Sequence, residues 1–369
     1  MSVMRSRVIS EPIIFVGTYT EPEGSKSEGI YVYRMDSGSG QLNFLSVAKG
    51  VINPSFLGIH PHQNFLYAVN EVDNLDGQAG GGVSAFSIEP HSGELTLLNR
   101  QFSHGAHPCY VSVEQAGRFA LVANYTSGSV AMFPIQADGG LGEASDVIQH
   151  SGSSIHPTRQ TGPHAHFIHS DPANRFAVAA DLGLDKLLIY QMDLEHGKLH
   201  LHNEMQVHAG AGPRHLTFHP NGQFAYLINE LDATVIAYRY QSEAGRFEQL
   251  QVLLALPKDF TSENLCADIH VTPGGRYLYA SNRGHESMVS FQIDQSTGGI
   301  TYIDHVPTRG REPRNFAIDP KGSFLLAANQ KTDTIVTFKI DTTNGQLIET
   351  GYQVEVSMPV CVKFAVLKS

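Results

Sequence analysis

Residues 212–230 read GPRHLTFHPNGQFAYLINE, and this stretch determines how the rest of the chain is interpreted. Two short apolar runs flank a His-Pro-Asn-Gly segment, which is typical of two antiparallel strands joined by a tight turn. The same stretch carries Arg214 near its start and Glu230 at its end. A structural pattern and two ionisable side chains therefore coincide in one segment.

The second run of this stretch recurs along the whole chain at intervals of about 50 residues. Each copy ends in a small polar residue, as in FLYAVN, FALVAN, FAVAAD, FAYLIN, YLYASN and FLLAAN. These terminal residues are Asn70, Asn124, Asp181, Asn229, Asn282 and Asn329, and Thr18 ends a seventh run, IIFVGT. Seven copies predict a repeat architecture in which each unit adds its own core.

The first run of the stretch also recurs, but with an offset. Six copies precede the runs described above and start at Pro54, Pro108, Ala165, Pro213, Cys266 and Pro313. The seventh copy, PVCVKFAV, starts at Pro359, at the other end of the chain. The simplest explanation is a closed ring of seven units, in which the C-terminal strand completes the N-terminal unit.

Two more strand-like runs follow each polar residue, such as residues 82–88 with 94–98 and residues 234–240 with 247–253. Turn signals separate the runs, and no long amphipathic helix is evident. Four strands in each of seven units predict an all-β, seven-bladed β-propeller that spans residues 1–369 as one domain. The closed ring leaves no large open sheet edge, and we expect the repeated Asn and the His of the His-Pro turns to be structural.

The composition limits the partners and the location that we expect. The net charge of −11 argues against a nucleic-acid partner, whereas a small anionic ligand depends on local charge in a cleft. No apolar run is long enough for a membrane span, and the first residues, MSVMRSRVISEP, lack a signal-peptide core. We expect a cytoplasmic protein with buried, reduced thiols at Cys109, Cys266 and Cys361, and the oligomeric state stays open.

Two positions in each unit are expected to line one mouth of the central channel. The first strand of a blade is innermost and antiparallel to the second, so its start and the end of the second strand share one mouth. The residues after the first-strand starts are Ser55, Cys109, His166, Arg214, Ala267, Arg314 and Val360. The residues after the terminal polar residues are Tyr19, Glu71, Tyr125, Leu182, Glu230, Arg283 and Gln330.

The ionisable residues among these positions predict a ligand site. His166, Arg214, Glu230 and Arg283 fall on consecutive blades, and Arg314 with the polar Gln330 comes from the blade after. A position that is apolar in some copies and ionisable in neighbouring copies is specialised. A purely structural ion pair between Arg214 and Glu230 remains an alternative for these two residues.

His164 and His166 lie in the segment GPHAHFIH and raise the question of a metal site. A metal needs three or four ligands, and the neighbouring channel residues are arginines, which repel a cation. The sequence also lacks a nucleophile elbow, a phosphate loop and a dinucleotide fingerprint. We therefore expect neither a metal nor a cofactor.

Over nearly its whole length the sequence resembles the seven-bladed propeller lactonases. The similarity runs from VGTYT at Val16 through GPHAHF, GPRHLTFHPNGQFAYLINE and SNRG to REPRNFAIDPKGSFLLAANQ. This family includes bacterial cycloisomerase-type 6-phosphogluconolactonase and fungal carboxymuconate lactonizing enzymes. The resemblance implies an active-site cleft at the channel, with no metal requirement, that contains His166, Arg214, Glu230 and Arg283.

These observations predict hydrolysis of a sugar lactone, with 6-phospho-D-glucono-1,5-lactone of the pentose phosphate pathway as the leading substrate. Either His166 or Glu230 could act as the general base, and the arginines suit an oxyanion or a phosphate. Candidate substrate-binding residues are Arg314, Gln330, Glu71, His164 and Arg159, the last from the irregular segment 149–163. The alternatives are a carboxymuconate cycloisomerase and a non-catalytic binding propeller, and the latter predicts an apolar mouth.

Overall fold

The computed structural model describes residues 11–21 and 23–367. The N-terminal residues 1–10, on which the prediction about a signal peptide depends, lie outside this range. The described chain forms seven four-stranded antiparallel sheets arranged as blades, which confirms the predicted all-β, seven-bladed propeller. No helix of these residues is long and apolar enough to cross a bilayer.

The strands follow the repeat, and the blades are numbered in chain order. Blade 1 contains β1 (Ile13–Thr18), β2 (Gly29–Met35) and β3 (Leu42–Lys49). Blade 2 contains β4 (Leu57–Ile59), β5 (Phe65–Asn70), a hairpin of β6 (Asn74–Leu75) and β7 (Gln78–Ala79), β8 (Gly82–Ile88) and β9 (Leu95–Phe102). Blade 3 contains β10 (Pro108–Val113), β11 (Phe119–Asn124), β12 (Ser129–Pro134) and β13 (Asp146–Gln149). Blade 4 contains β14 (Ala165–Ser170), β15 (Phe176–Asp181), β16 (Lys186–Asp193) and β17 (Lys198–Gln206).

The remaining blades have the same plan. Blade 5 contains β18 (Pro213–Phe218), β19 (Phe224–Asn229), β20 (Thr234–Gln241) and β21 (Arg246–Leu254). Blade 6 contains β22 (Leu265–Val271), β23 (Tyr277–Arg283), β24 (Ser287–Ile293) and β25 (Ile300–Pro307). Blade 7 contains β26 (Pro313–Ile318), β27 (Phe324–Asn329), a 3-10 turn (Gln330–Thr332), β28 (Thr334–Ile340) and β29 (Leu347–Glu355).

The last strand, β30 (Pro359–Ala365), closes the ring. It is the innermost strand of blade 1 and pairs antiparallel with β1, with Ile13 opposite Ala365 and Val16 opposite Val362. Inner strands of successive blades contact one another around the ring, and β30 contacts both β26 and β4. The offset in the sequence repeat therefore reflects closure by the C-terminal strand, as predicted.

Blade packing explains why the second strands are continuous apolar runs. Strands β11, β15, β19 and β27 are buried at every residue. Because each blade packs face to face against two others, both faces of these strands are covered, and apolar side chains are favoured at each position. The outer strand β21 has exposed residues along its length, because only part of its surface meets a neighbouring blade.

Four of the repeated asparagines, Asn70, Asn124, Asn282 and Asn329, each join their blade to the one before it. Nδ2 of Asn124 donates to the carbonyl of Ser103 at 3.0 Å, just beyond the outer strand of blade 2. Asn282 makes the equivalent bond to Ala255 at 2.8 Å. The asparagines are therefore structural, as predicted.

The histidines of the two His-Pro turns each join their own blade to the next one. Nε2 of His60 donates to the carbonyl of Gly117 at 3.0 Å, and Nε2 of His219 donates to the carbonyl of Gly275 at 2.9 Å. Both imidazoles are buried, so these bonds are shielded from water. The predicted structural role of the His-Pro turns is confirmed.

Two strand starts differ from the predicted ones. Strand β22 begins at Leu265, one residue before Cys266. Strand β4 begins at Leu57 rather than at Pro54, because the amide of Ser55 donates to the carbonyl of Asn53 in a tight turn. Residues 53–56 therefore reach the channel as a turn.

We expect His60→Ala to lower the free energy of unfolding by about 1–3 kcal/mol, because it leaves the buried carbonyl of Gly117 without its partner. Urea denaturation measures the change. The exposed His91 provides a matched control, and His91→Ala should change stability by less than about 0.5 kcal/mol. Equal effects of the two substitutions would contradict the assigned inter-blade role.

Candidate active site

A β-bulge at the start of the inner strands determines which side chains face the mouth. In β18, Pro213 pairs with Asn229 and His215 pairs with Ile228, so Arg214 is an extra residue without a partner in the ladder. A bulge turns such a residue away from the regular pleat. The same shift leaves Cys109, His166, Arg314 and Val360 unpaired in their strands. The mouth position found in the sequence repeat is therefore the bulged residue.

Two cavities meet at this mouth. The inner cavity, of about 240 Å³, is lined by Ser55, Phe56, Glu71, Cys109, His166, Arg214, His215, Arg314, Asn315 and Val360. The outer cavity, of about 480 Å³, is lined by Glu71, Cys109, Tyr125, Arg159, His166, Glu230, Leu265, Arg283 and Arg314. Four residues border both cavities, so the two form one continuous cleft.

Successive residues of β18 and β26 line the inner cavity, as Arg214 with His215 and Arg314 with Asn315. The repeat predicts one channel-facing residue per inner strand, so His215 and Asn315 were not among the predicted site residues. One signal in the sequence could have indicated them. In blades 5, 6 and 7 the residue directly after the mouth position is polar, as His215, Asp268 and Asn315.

The carboxylate of Glu230 is the centre of the charge cluster. Its Oε2 accepts hydrogen bonds from Nε of Arg214 at 2.9 Å and Nη2 of Arg283 at 2.8 Å. Its Oε1 accepts from Nη2 of Arg159 at 2.5 Å. Burial raises the pKa of Glu230, but the three guanidinium groups outweigh burial and hold this pKa at about 2. Glu230 is therefore ionised, and both of its oxygens are occupied.

Arg214 is buried, with 1% of its surface exposed, and its guanidinium group has several hydrogen-bond partners. Besides Glu230, its Nη1 donates to the carbonyl of Ala267 and lies 3.4 Å from Nε2 of His215. Burial, with Arg283 and Arg314 nearby, lowers the pKa of Arg214 to about 10, so the group stays protonated at neutral pH. Within the described residues its Nη2 has no acceptor, which leaves this nitrogen for a ligand.

His166 is a buried imidazole without a hydrogen-bond partner for its Nδ1 among the described residues. Its ring packs against Tyr125 and His215 with centroid distances of 5.4 and 5.1 Å. Burial, followed by the charges of Arg214 and the other neighbouring cations, lowers the pKa of His166 well below its ordinary value. The imidazole is therefore neutral and can accept a proton from a ligand.

Arg314 has no hydrogen-bonded anion in the part of the chain that the structure describes. Its guanidinium carbon lies 5.6 Å from the centroid of the Tyr19 ring, and its side chain borders both cavities. Arg159, Arg214 and Arg283 are each paired with Glu230. Arg314 is consequently the mouth arginine that is most available to an anion.

Glu71 lies on another side of the cleft. Its Oε2 accepts hydrogen bonds from the hydroxyls of Tyr19, at 2.9 Å, and Ser55. The structure thus provides an acceptor group that borders both cavities, as Glu230 borders the outer one.

The long segment after β13 brings Arg159 to the mouth. Gln160 anchors the segment through Nε2, which donates to the carbonyl of Leu182 at 2.8 Å, and the hydroxyl of Ser154 donates to Asp185 at 2.6 Å. Arg159 reaches Glu230 and also donates to the hydroxyl of Tyr125 at 3.1 Å. The segment therefore already covers one side of the cleft.

Two candidate residues do not line either of these cavities. The ring of His164 stacks on Tyr125 with a centroid distance of 4.6 Å, and its Nδ1 bonds to the carbonyl of the same residue at 3.0 Å. Gln330 starts the 3-10 turn, and its buried Oε1 has no partner among the described residues. The remaining candidates, His166, Arg214, Glu230, Arg283, Arg314, Glu71 and Arg159, lie together.

The cysteines are free and buried. Burial raises the pKa of the Cys109 thiol, the one that borders the cleft, so this thiol stays protonated at neutral pH. Its position beside His166 therefore does not create a nucleophile. The described residues hold no group of three or more His, Cys, Asp and Glu that could bind a metal ion.

Residues 13–364 match the family described as "Lactonase, 7-bladed beta-propeller". The chain belongs to this family. The 6-phosphogluconolactonase of Bacillus subtilis is 41% identical over 350 residues, which cover 95% of this chain and 97% of that protein. The 6-phosphogluconolactonase of Formosa agariphila is 36% identical over 311 residues, which cover 83% of this chain and 86% of that protein. The structure of the periplasmic gluconolactonase of Pseudomonas aeruginosa matches with a TM-score of 0.91 at 36% identity. The match covers 97% of this chain and 100% of that protein chain.

The charge cluster predicts a pH-dependent contribution to stability. At pH 7, Glu230→Gln should lower the free energy of unfolding by about 3 kcal/mol, because the pKa of Glu230 falls from 4.5 to about 2 on folding. Because the pKa of Glu230 is lower in the folded state, its ionisation stabilises the fold above pH 4.5. This contribution to the free energy of unfolding is lost as the pH falls toward 2. Urea denaturation between pH 7 and 3.5 should show that the difference in free energy of unfolding between the wild type and Glu230→Gln becomes smaller below pH 4.5.

Glu28→Gln is the matched control, because Glu28 makes an exposed ion pair with Lys49. It should change stability by less than about 1 kcal/mol. A difference in free energy of unfolding between the wild type and Glu230→Gln that stays constant with pH would contradict the assigned ionisation of Glu230.

Proposed function

We propose that this protein hydrolyses 6-phospho-D-glucono-1,5-lactone to 6-phosphogluconate in the cytoplasm, where a charged sugar phosphate is retained. The observation that carries the proposal is the cleft itself, in which a neutral His166 and the unpaired Arg314 border the same two cavities. Two relatives that cover most of this chain are named 6-phosphogluconolactonase, which supports the choice of substrate.

The charge of the cleft suits a phosphorylated substrate. Four guanidinium groups and two carboxylates border the cleft, which leaves two positive charges in a protein whose net charge is −11. A phosphate monoester carries about −1.5 to −2 at pH 7. The local field therefore attracts this substrate although the protein as a whole repels anions.

The chemistry requires a water that attacks the lactone carbonyl and a donor that stabilises the resulting oxyanion. In the proposed mechanism His166 accepts the proton of the water and later delivers it to the ring oxygen, which leaves as an alcohol. The guanidinium groups of Arg214 and Arg283 donate to the oxyanion in the tetrahedral intermediate. No group is oxidised or reduced, and the proton removed from water is returned to the product.

Glu230 has a different role in this mechanism. Its oxygens already accept bonds from three guanidinium groups, and its pKa of about 2 makes it a poor proton acceptor at neutral pH. We assign it the orientation of Arg214 and Arg283. A substrate phosphate bound at Arg314 would offset a positive charge close to His166 and so favour the imidazolium formed during proton transfer.

The non-phosphorylated glucono-1,5-lactone is the second candidate substrate, because a structural relative with a TM-score of 0.91 is a gluconolactonase. A panel of phosphorylated and non-phosphorylated lactones, each corrected for spontaneous hydrolysis, separates the two. No rate above background with any lactone would refute the proposal. A carboxymuconate substrate in the same panel tests the cycloisomerase alternative, and the ionisable lining of the mouth disfavours a purely apolar binding module.

We expect Arg314→Gln to raise KM for 6-phosphogluconolactone about 10–100-fold, because a charge-assisted bond to phosphate contributes roughly 1.5–3 kcal/mol. The kcat/KM for the non-phosphorylated lactone should change less than about threefold. Arg246→Gln on the exposed outer strand of blade 5 is the control and should leave both substrates unaffected. An equal loss of kcat/KM with both lactones would show that Arg314 does not bind the substrate phosphate.

His166→Asn should lower kcat about 10²–10⁴-fold, because it removes the proposed proton acceptor from the cleft. Initial rates with 6-phosphogluconolactone, coupled to oxidation of 6-phosphogluconate, measure the loss. Urea denaturation should confirm that the variant is folded. A folded variant with wild-type kcat would assign the proton transfer to another group.

A further inference from the structure

Asp268 is a buried carboxylate that connects the inner strands behind the cleft. Its Oδ1 accepts a hydrogen bond from Nδ1 of His215 at 2.8 Å. Its Oδ2 accepts from Nε2 of His270 at 2.9 Å and from Nδ2 of Asn315 at 2.5 Å. Asn315 in turn accepts from the amide of Val362 at 2.7 Å. One carboxylate thus links β18, β22, β26 and, through Asn315, the closing strand β30.

This arrangement fixes the tautomer of His215. Because Nδ1 carries the proton donated to Asp268, Nε2 keeps a lone pair, and this atom lies 3.4 Å from Nη1 of Arg214. Burial, followed by the charge of Arg214, lowers the pKa of His215 to about 3, so the ring is neutral. His215 therefore presents an acceptor to the guanidinium group.

The guanidinium group of Arg214 is consequently fixed at three points. Nε donates to Glu230, and Nη1 faces both the carbonyl of Ala267 and the ring of His215. A planar group held on two of its nitrogens has its third nitrogen directed as well. In Arg214 this third nitrogen is Nη2, which has no acceptor among the described residues.

We propose that Asp268 and His215 are positioning residues for lactone hydrolysis, which hold Arg214 so that Nη2 faces the reacting carbonyl. Asp268 lines neither cavity, and His215, which lines the inner one, acts in this proposal through Arg214. Asp268 acts through the tautomer of His215, and His215 acts through the plane of the guanidinium. The inference rests on the proposed function, because it assigns a catalytic consequence to the orientation of Arg214.

Asp268→Asn tests the proposal. Oδ2 of Asp268 accepts from His270, from Asn315 and, at 3.5 Å, from the amide of Phe316, whereas Oδ1 accepts besides His215 only from the amide of Ile269 at 3.0 Å. The larger number of donors keeps the amide oxygen of the variant at the Oδ2 position, so its NH₂ group faces His215. Nδ1 of His215 must then accept, and the proton moves to Nε2, where it opposes a donor of Arg214. We expect kcat for 6-phosphogluconolactone to fall on the order of 10–100-fold, with KM within about twofold.

The control is His270→Gln, which removes a second partner of Asp268 but leaves the bond to His215 intact. It should keep kcat within about twofold of the wild type. A merely structural role of Asp268 would reduce kcat in both variants or in neither. Wild-type kcat in Asp268→Asn would overturn the proposal even if the enzyme hydrolyses the lactone.

A second readout does not depend on activity. In ¹⁵N-histidine spectra the signal of His215, identified by its absence in His215→Gln, should show Nδ1–H in the wild type and Nε2–H in Asp268→Asn. An Nε2–H tautomer in the wild type would overturn the proposal. If the wild-type protein hydrolyses no lactone, the proposed function fails, and the spectra still decide whether Asp268 sets the tautomer.

Discussion

The antiparallel pairing of β30 with β1 is the constraint on which the rest of the structure depends. It converts a linear array of blades into a ring, so each inner strand contacts the inner strands on both sides. Side chains that are far apart in sequence then meet at one mouth, as Tyr19 and Arg314 do. Without closure neither the radius of the channel nor the spacing between these groups would be defined.

The ring also makes a buried charge cluster tolerable. A carboxylate in the interior is costly unless several donors surround it, and Glu230 receives one donor each from blades 5 and 6 and from the segment after β13. Because these donors are attached to different elements, the propeller holds their geometry before a substrate arrives. Such preorganisation reduces the rearrangement needed when charge develops on a ligand.

The sequence was sufficient to predict the fold, the direction of closure and much of the cleft. The periodic Asn and Pro positions reveal the blade boundaries because they serve the same backbone role in each blade. The sequence was insufficient for His215 and Asn315, since the bulge lets two successive residues of an inner strand line the inner cavity, and this bulge is not visible as a change in spacing. Alignment also placed Gln330 at the mouth, and His164 was a candidate because it lies two residues before His166, but the direction of a side chain near a strand end depends on local packing.

Long side chains set a further limit to prediction from sequence. Spacing placed Arg214, Arg283 and Arg314 near one mouth, and Arg159 was a candidate from the irregular segment. Spacing did not reveal that three of the four would share Glu230 and that Arg314 would lack such a partner among the described residues. That division depends on the reach of each guanidinium group in three dimensions. It is also what distinguishes arginines that build the site from the one that remains available to an anion.

The bulges have a consequence for how such proteins diverge. In six inner strands the mouth residue stands outside the backbone ladder, so its side chain can change while the sheet hydrogen bonds persist. The present occupants already range from Val360 to Arg214 on the same scaffold. Each of these six blades therefore offers one position whose side chain can be substituted without breaking a hydrogen bond of the ladder. A ring of such positions gives this architecture a high capacity to evolve new ligand preferences by single substitutions.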